Sequence, residues 1–189
     1  MNQVKKKLIL IILLLFSLPM TGIRAQINQS QLHSMVVKDE TLIAPGIGAS
    51  SIVIDMLEDE VVFIKGKPFE KTQSVSHNFF KDVLAIKSEI QLPFNYLYTY
   101  RNPSTIVGLY NSRVSFVVVW GSYGVLIDGV NISKGIMAIL FNYGNEGMKV
   151  IRDADGAIYI YASKGIAFID EKNDDSVDGI IIFKDVSRQ

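Results

Sequence analysis

The sequence predicts an α+β fold of two similar modules, each a short helix or helix pair packed on a three-stranded antiparallel meander. Three observations predict it. A 25-residue segment aligns with a later one after a shift of 78 positions, without a gap. A short helix, with start and stop signals, sits inside that segment. Three strand-like runs follow each copy.

The shifted segments are "APGIGASSIVIDMLEDEVVFIKGKP" and "SYGVLIDGVNISKGIMAILFNYGNE". Gly46 falls on Gly124, Ile54 on Ile132, Asp55 on Ser133, Phe63 on Phe141 and Gly66 on Gly144. These positions set a turn, a cap, an apolar stripe and a stop. In the first copy Asp55 stands where a helix wants its N-cap, and Glu58, Asp59 and Glu60 occupy the first turn, at the positive end of the helix dipole. Met56, Val61 and Ile64 share a stripe that Val62 and Phe63 blur. Gly66 and then Pro68 end the helix.

The strand-like runs are 95–100, 104–111 and 113–120 in the first half and 157–162, 163–170 and 177–184 in the second. Tyr, Ile, Val, Phe and Thr crowd them, and Asn, Asp, Ser and Gly separate them. "LYTY" and "IYIY" alternate as strands with one wet face do; "FVVVW" and "IIIF" are continuously apolar and read as covered on both faces. Only the first half carries the insertion 69–94. In it, Phe79, Phe80, Val83, Leu84, Ile86 and Ile90 take the spacing of an amphipathic helix lying on a sheet. The corresponding connection, 145–155, is much shorter.

The N-terminus reads as a secretory signal peptide. Lys5, Lys6 and Lys7 precede an unbroken apolar run from Leu8 to Phe16, and Pro19 and a polar stretch lead to Ala25, the expected cleavage point. The apolar core is shorter than the roughly 20 residues a bilayer crossing requires. The expected organisation is a signal peptide at 1–25, a flexible lead-in at 26–44 with a strand in the last part of 26–40, a first module at 45–121 and a second at 122–189. Removal of residues 1–25 takes away four cations and no acids and leaves a net charge of −4. No basic patch suited to nucleic acid remains, and no polybasic cluster for an anionic membrane. The chain has no cysteine, which excludes disulfides, thiol catalysis, cysteine zinc sites and lipid attachment at an N-terminal cysteine.

The phrase "MLEDEVVFIKGKP" resembles the helix ending of small periplasmic modules of the SmpA/OmlA (BamE-like) type, the outer-membrane assembly lipoproteins. That fold is also found in tandem in β-lactamase-inhibitor proteins. Those modules read Gly-Met-Thr, a Gln or Glu before a Val, then Leu-Gly-x-Pro. Met56, Glu60, Val61, Gly66 and Pro68 match that spacing; Asp55 replaces the glycine and Leu57 the threonine. The second copy keeps Ile139 and Gly144 but has Glu146 where the proline would be. The resemblance implies a fold and a protein-binding habit. The lipidated cysteine is missing, so the assembly role does not carry over, and no functional residue transfers.

Among groups that could carry chemistry, "DEKNDDSVDG" is the richest. Asp174, Ser176, Asp178 and Gly179 have the spacing of a calcium loop, but the flanking runs are strands, so the loop reads as a hairpin turn. "RDADG" (152–156) reads as a turn, as does "GIGASS", which lacks the lysine and length of a phosphate loop. His33 and His77 lie far apart, without a nucleophile signature near either. No catalytic, cofactor-binding or metal residue is therefore predicted. Alternation in "NYLYTY" puts Tyr96, Tyr98 and Tyr100 on one sheet face, as core or as a binding face, with core the stronger reading. The expected function is that of an exported, periplasmic or extracellular, non-enzymatic module. Its partner is another protein or a cell-envelope component, with no nucleic acid and no stable membrane span. The alternatives are a hydrolase using paired carboxylates and a calcium-stabilised secreted protein.

Overall fold

The structure is a computed structural model that describes residues 28–152 and 156–185. The expected signal peptide lies outside the described residues, as does most of the turn expected at 152–156.

In chain order the elements begin with α1 (Gln29–Lys38), β1 (Leu42–Ala44), β2 (Gly48–Ala49), β3 (Ile52–Val53) and α2 (Glu58–Lys65). Next come β4 (Glu70–Ser76), α3 (Phe79–Asp82), β5 (Phe94–Arg101), β6 (Ser104–Tyr110), β7 (Arg113–Trp120) and β8 (Val125–Leu126). The chain continues with α4 (Ile136–Tyr143), β9 (Met148–Arg152), β10 (Ala157–Tyr161), β11 (Ile166–Asp170) and β12 (Gly179–Phe183).

The expectation of two helix-on-three-strand modules is wrong. The eight long strands form one antiparallel sheet in the order β4-β5-β6-β7-β12-β11-β10-β9, and the protein is mostly β. Each meander has a fourth strand. β4 and β9 fall in stretches that the sequence presents as connections, because "EKTQSVS" and "MKVIR" lack clear alternation; both are sheet edges, where little apolar surface is buried. The meanders are joined by β7 and β12, which pair from Phe116↔Phe183 to Trp120↔Gly179. These are the runs "FVVVW" and "IIIF", and both are buried on both faces, as continuous apolarity requires. Each of the six sequence-predicted runs contains a strand, although 163–170 is strand only from Ile166, after a 3-10 turn at Ala162–Lys164.

A second, four-stranded sheet, β3-β2-β1-β8, lies on one face of the large sheet. Ile43, Ala49, Ile52 and Leu126 from it share a core with Tyr98, Val107, Val117, Phe168 and Ile182, and α2 and α4 add Val61, Ile136 and Ile139 to that core. The opposite face is covered by the insertion. The amphipathic helix expected there is only one turn, α3; Ala85 then takes a left-handed backbone (φ 57°) and ends it. Phe79 and Phe80 are nonetheless fully buried, against Phe94, Phe116 and Phe183. Burial of the aromatic pair holds this segment down without helical periodicity.

The polar stretch expected as a flexible lead-in is helical over Gln29–Lys38. The Asn28 side chain accepts from the Gln31 amide, and the Gln31 side chain accepts from the Asn28 amide, a reciprocal cap. The strand expected in the last part of 26–40 does not form; that stretch is helical, and the first strand begins only at Leu42. Asp55 is not the α2 cap: Leu57 is, and its amide donates to Glu60 Oε2 at 2.9 Å. The first residues of α2 and α4 are separated by the same 78 positions found in the sequence. Each helix ends on a glycine with positive φ, Gly66 (77°) and Gly144 (70°). The Tyr100 hydroxyl donates to the Gly66 carbonyl at 3.4 Å, and that of Tyr161 to the Gly144 carbonyl at 2.8 Å.

Candidate interaction surface

The acidic loop between β11 and β12 is built around its own backbone. Asp170, 1% exposed, accepts from the amides of Asp174 and Asp175 at 3.1 Å each. Asp174 accepts from the Ser176 amide at 3.0 Å, and the Ser176 side chain first, with that amide second, pulls its carboxyl below the ordinary range. Asp178 accepts from the Glu171 amide and the Ser176 hydroxyl. The carboxylates of Asp170, Asp174 and Asp178 come within 4.8 Å of one another, so the structure gathers two of the sequence-predicted acids and adds Asp170. Asp175 points its chemistry elsewhere. Its carbonyl accepts from the Ile136 amide and its carboxylate from the Met137 amide, both at 2.9 Å. The α4 helix begins at Gly135, which has no side chain to cap with, and this loop supplies the cap from the far end of the sequence.

The tyrosine row keeps its alternation but is not an open face. Tyr98 and Tyr100 are buried beneath α2, with Tyr96 partly buried beside them, while Leu97 points to the opposite core. Burial is the largest push on both phenols and raises Tyr100 to about 12. Tyr98 donates to Glu58 at the start of α2, and Lys71 donates to the Tyr98 oxygen at 2.6 Å. The Tyr98 hydrogen bond, more than the Lys71 charge, holds the Glu58 carboxyl below its usual range. Tyr98 thus couples edge strand β4 to α2.

A buried polar group escaped sequence reasoning. The Lys65 side chain is only 6% exposed; its ammonium pairs with Glu40 and donates to Ser50 Oγ at 3.3 Å. Ser50 Oγ lies 3.1 Å from Thr105 Oγ1. Ser50 and Ser51 both have positive φ, 54° and 63°, and form the two-residue turn joining β2 to β3, a conformation usually given to Asn-Gly. The Tyr123 hydroxyl is buried and makes no hydrogen bond of ordinary geometry; burial first and then the Glu40 charge raise its pKa, while nearby Ser50 opposes them. The lysine is committed to a carboxylate and Ser50 is 1% exposed, so the arrangement ties α2 to the small sheet and does not present a nucleophile. Only tertiary structure unites these residues, and no short motif marks them. His33 lies in α1 and His77 follows β4.

What the fold does leave open is the outer side of α2 and α4. Phe63 is 89% exposed and Phe141 91%. Val62 on α2 and Met137 on α4 are exposed as well, at 37% and 64%. The sequence carried a signal for it: Phe63 spoils the apolar stripe of its helix, and Phe141 spoils the other at the matching position. A residue that breaks a core stripe has to face outward. Among the described residues, no helix is long and apolar enough to cross a membrane.

The sequence matches no protein-family model and no curated protein. Among solved structures, the chain is similar to an extracellular protein containing an SCP domain from Bacillus anthracis. The TM-score is 0.45 at 7% identity, over 70% of this chain and 44% of that one. It is also similar to a DUF4309 family protein from Bacillus subtilis, with a TM-score of 0.44 at 12% identity, over 82% of this chain and 95% of that one. The chain therefore spans less than half the length of the first of these proteins.

Proposed function

We propose that this chain is an exported, non-enzymatic binding module that engages another protein or a cell-envelope component through the outer side of α2 and α4. One observation carries the reading: two phenylalanines at matching positions of two helices are almost wholly in water. Leaving a phenylalanine exposed forgoes about 1.5–3 kcal/mol that burial would return, and aromatic side chains are enriched where proteins meet partners. Export rests on the basic head, short apolar run and small residue of the first 25 positions. The 78-position correspondence of the helices, with their glycine stops and tyrosine contacts, belongs to the same proposal, as a tandem duplication that set one aromatic on each copy.

The test is photo-crosslinking in living cells. A photoreactive residue is placed at position 63, at 141, and at exposed Glu89 in the insertion, which covers the other sheet face. The reading expects discrete adducts from 63 and 141, none from 89, and loss of the adducts in the Phe63→Ser/Phe141→Ser double variant. Equal adducts from all three positions would refute the surface assignment.

A further inference from the structure

We infer that the cleft beneath the β6–β7 hairpin binds a zwitterionic α-amino acid group, free or carried on a larger molecule. The cavity measures about 300 Å³ and is lined by Asp55, Arg113, Lys184, Asn111, Ile90 and Phe183, among others. That is the small end of the range of ligand pockets, about 300–1,000 Å³, and suits one residue more than a chain.

The charges decide the class of ligand. Arg113 Nη1 donates to the Asp55 carbonyl at 2.8 Å, and Lys184 Nζ meets the Asp55 carboxylate at 2.9 Å. Two positive side chains thus converge on one residue, Arg113 at its carbonyl and Lys184 at its negative side chain. A simple anion would meet the repulsion of Asp55, and a simple cation that of Arg113 and Lys184. A molecule with an ammonium and a carboxylate on neighbouring atoms satisfies both. Its ammonium takes the Asp55 carboxylate, and its carboxylate takes the released Lys184 and the guanidinium, which spends one of its five N–H donors on Asp55. The exposed Asp55–Lys184 pair is of the kind worth at most about 1 kcal/mol, so a ligand can displace it cheaply. Ile90 and Phe183 offer apolar surface to the ligand's side chain.

Backbone geometry supports the assignment. Asp55 holds a left-handed backbone (φ 68°) at this cleft, a conformation that is uncommon outside glycine and is found at ligand sites; the positive φ of Asn111 and Ser112 belongs to the two-residue turn between β6 and β7. The wall that contains Ile90 belongs to the insertion.

Thermal melts and calorimetric titrations of the mature chain test this. The panel comprises free L- and D-amino acids, short peptides carrying an amino acid group at a side-chain end, and matched amines and carboxylic acids lacking one of the two charges. At least one amino acid or peptide is expected to raise the midpoint saturably, and whichever arm responds identifies the source; the single-charge analogues should not. Asp55→Asn keeps a residue tolerant of left-handed backbone, and Arg113→Gln leaves the Asp55–Lys184 pair. Each is expected to weaken binding about tenfold or more. The inference is overturned if no member of the panel shifts the midpoint, if a single-charge analogue binds as tightly, or if Asp55→Asn binds unchanged.

Discussion

The Asp175 carboxylate accepts a hydrogen bond from the Met137 amide at 2.9 Å, across 38 positions of sequence. The polar loop between β11 and β12 therefore serves α4 as a cap in trans, and its acidity is explained by the donors it faces. Removing a capping carboxylate costs typically about 1 kcal/mol. Asp175→Ala is expected to destabilise the chain by about that amount, with Asp175→Asn recovering most of the loss because the amide oxygen still accepts. A chemical denaturation series measures it.

Calcium is expected to leave this loop unaffected. Asp170 is buried, so a cation arriving at the loop would find only Asp174 and Asp178 accessible. Hard cations of this kind want six to eight oxygens. Melting midpoints in millimolar calcium and in a chelator should coincide; a clear rise with calcium would restore the metal reading.

Acid should act through Glu58. Its folded pKa is depressed, chiefly by the Tyr98 hydroxyl, so its stabilisation is fully present above the ordinary carboxylate range and is lost as pH falls through the folded value. The group is partly in water, so the effect is a modest one. Glu58→Gln is expected to flatten stability against pH below about 4.5.

Base should act through the tyrosines. Tyr98, Tyr100, Tyr123, Tyr143 and Tyr161 are all raised, with burial the largest cause, and Tyr100 reaches about 12. Each keeps its proton in the fold, so its contribution is complete below the unfolded value near pH 10 and disappears as pH climbs above it. Ultraviolet titration should show these phenols ionising together with unfolding above pH 10 and not before it.

Gly108 is fixed by an aromatic ring. A Cβ there would lie 2.2 Å from Phe116 Cε1, and Phe116 is held between Phe79 and Phe94. Gly108→Ala is expected to cost about 1–3 kcal/mol through overpacking, and Gly108→Ala with Phe116→Leu less than the sum of the two single changes. Thermal denaturation of the three variants decides it.

The sequence by itself determined the local units. The six apolar runs contain strands because β-branched and aromatic residues crowd them between turn formers. The helix at 58–65 stops at Gly66 because only glycine readily turns the chain there. Alternation on a strand puts Tyr96, Tyr98 and Tyr100 on one face. Tertiary structure decided how these units associate. Edge strands β4 and β9 bury little, so their composition is that of loops, and without them the meanders looked like separate modules. The pairing of β7 with β12 makes one sheet of two, and it joins residues some sixty positions apart that no local pattern connects. The same holds for Lys65 with Glu40 and Ser50, for Asp175 with Met137, and for Asp55 with Lys184. Periodicity reports which face of an element is dry. It carries no record of which distant element dries it, because that choice is made by long-range pairing and packing.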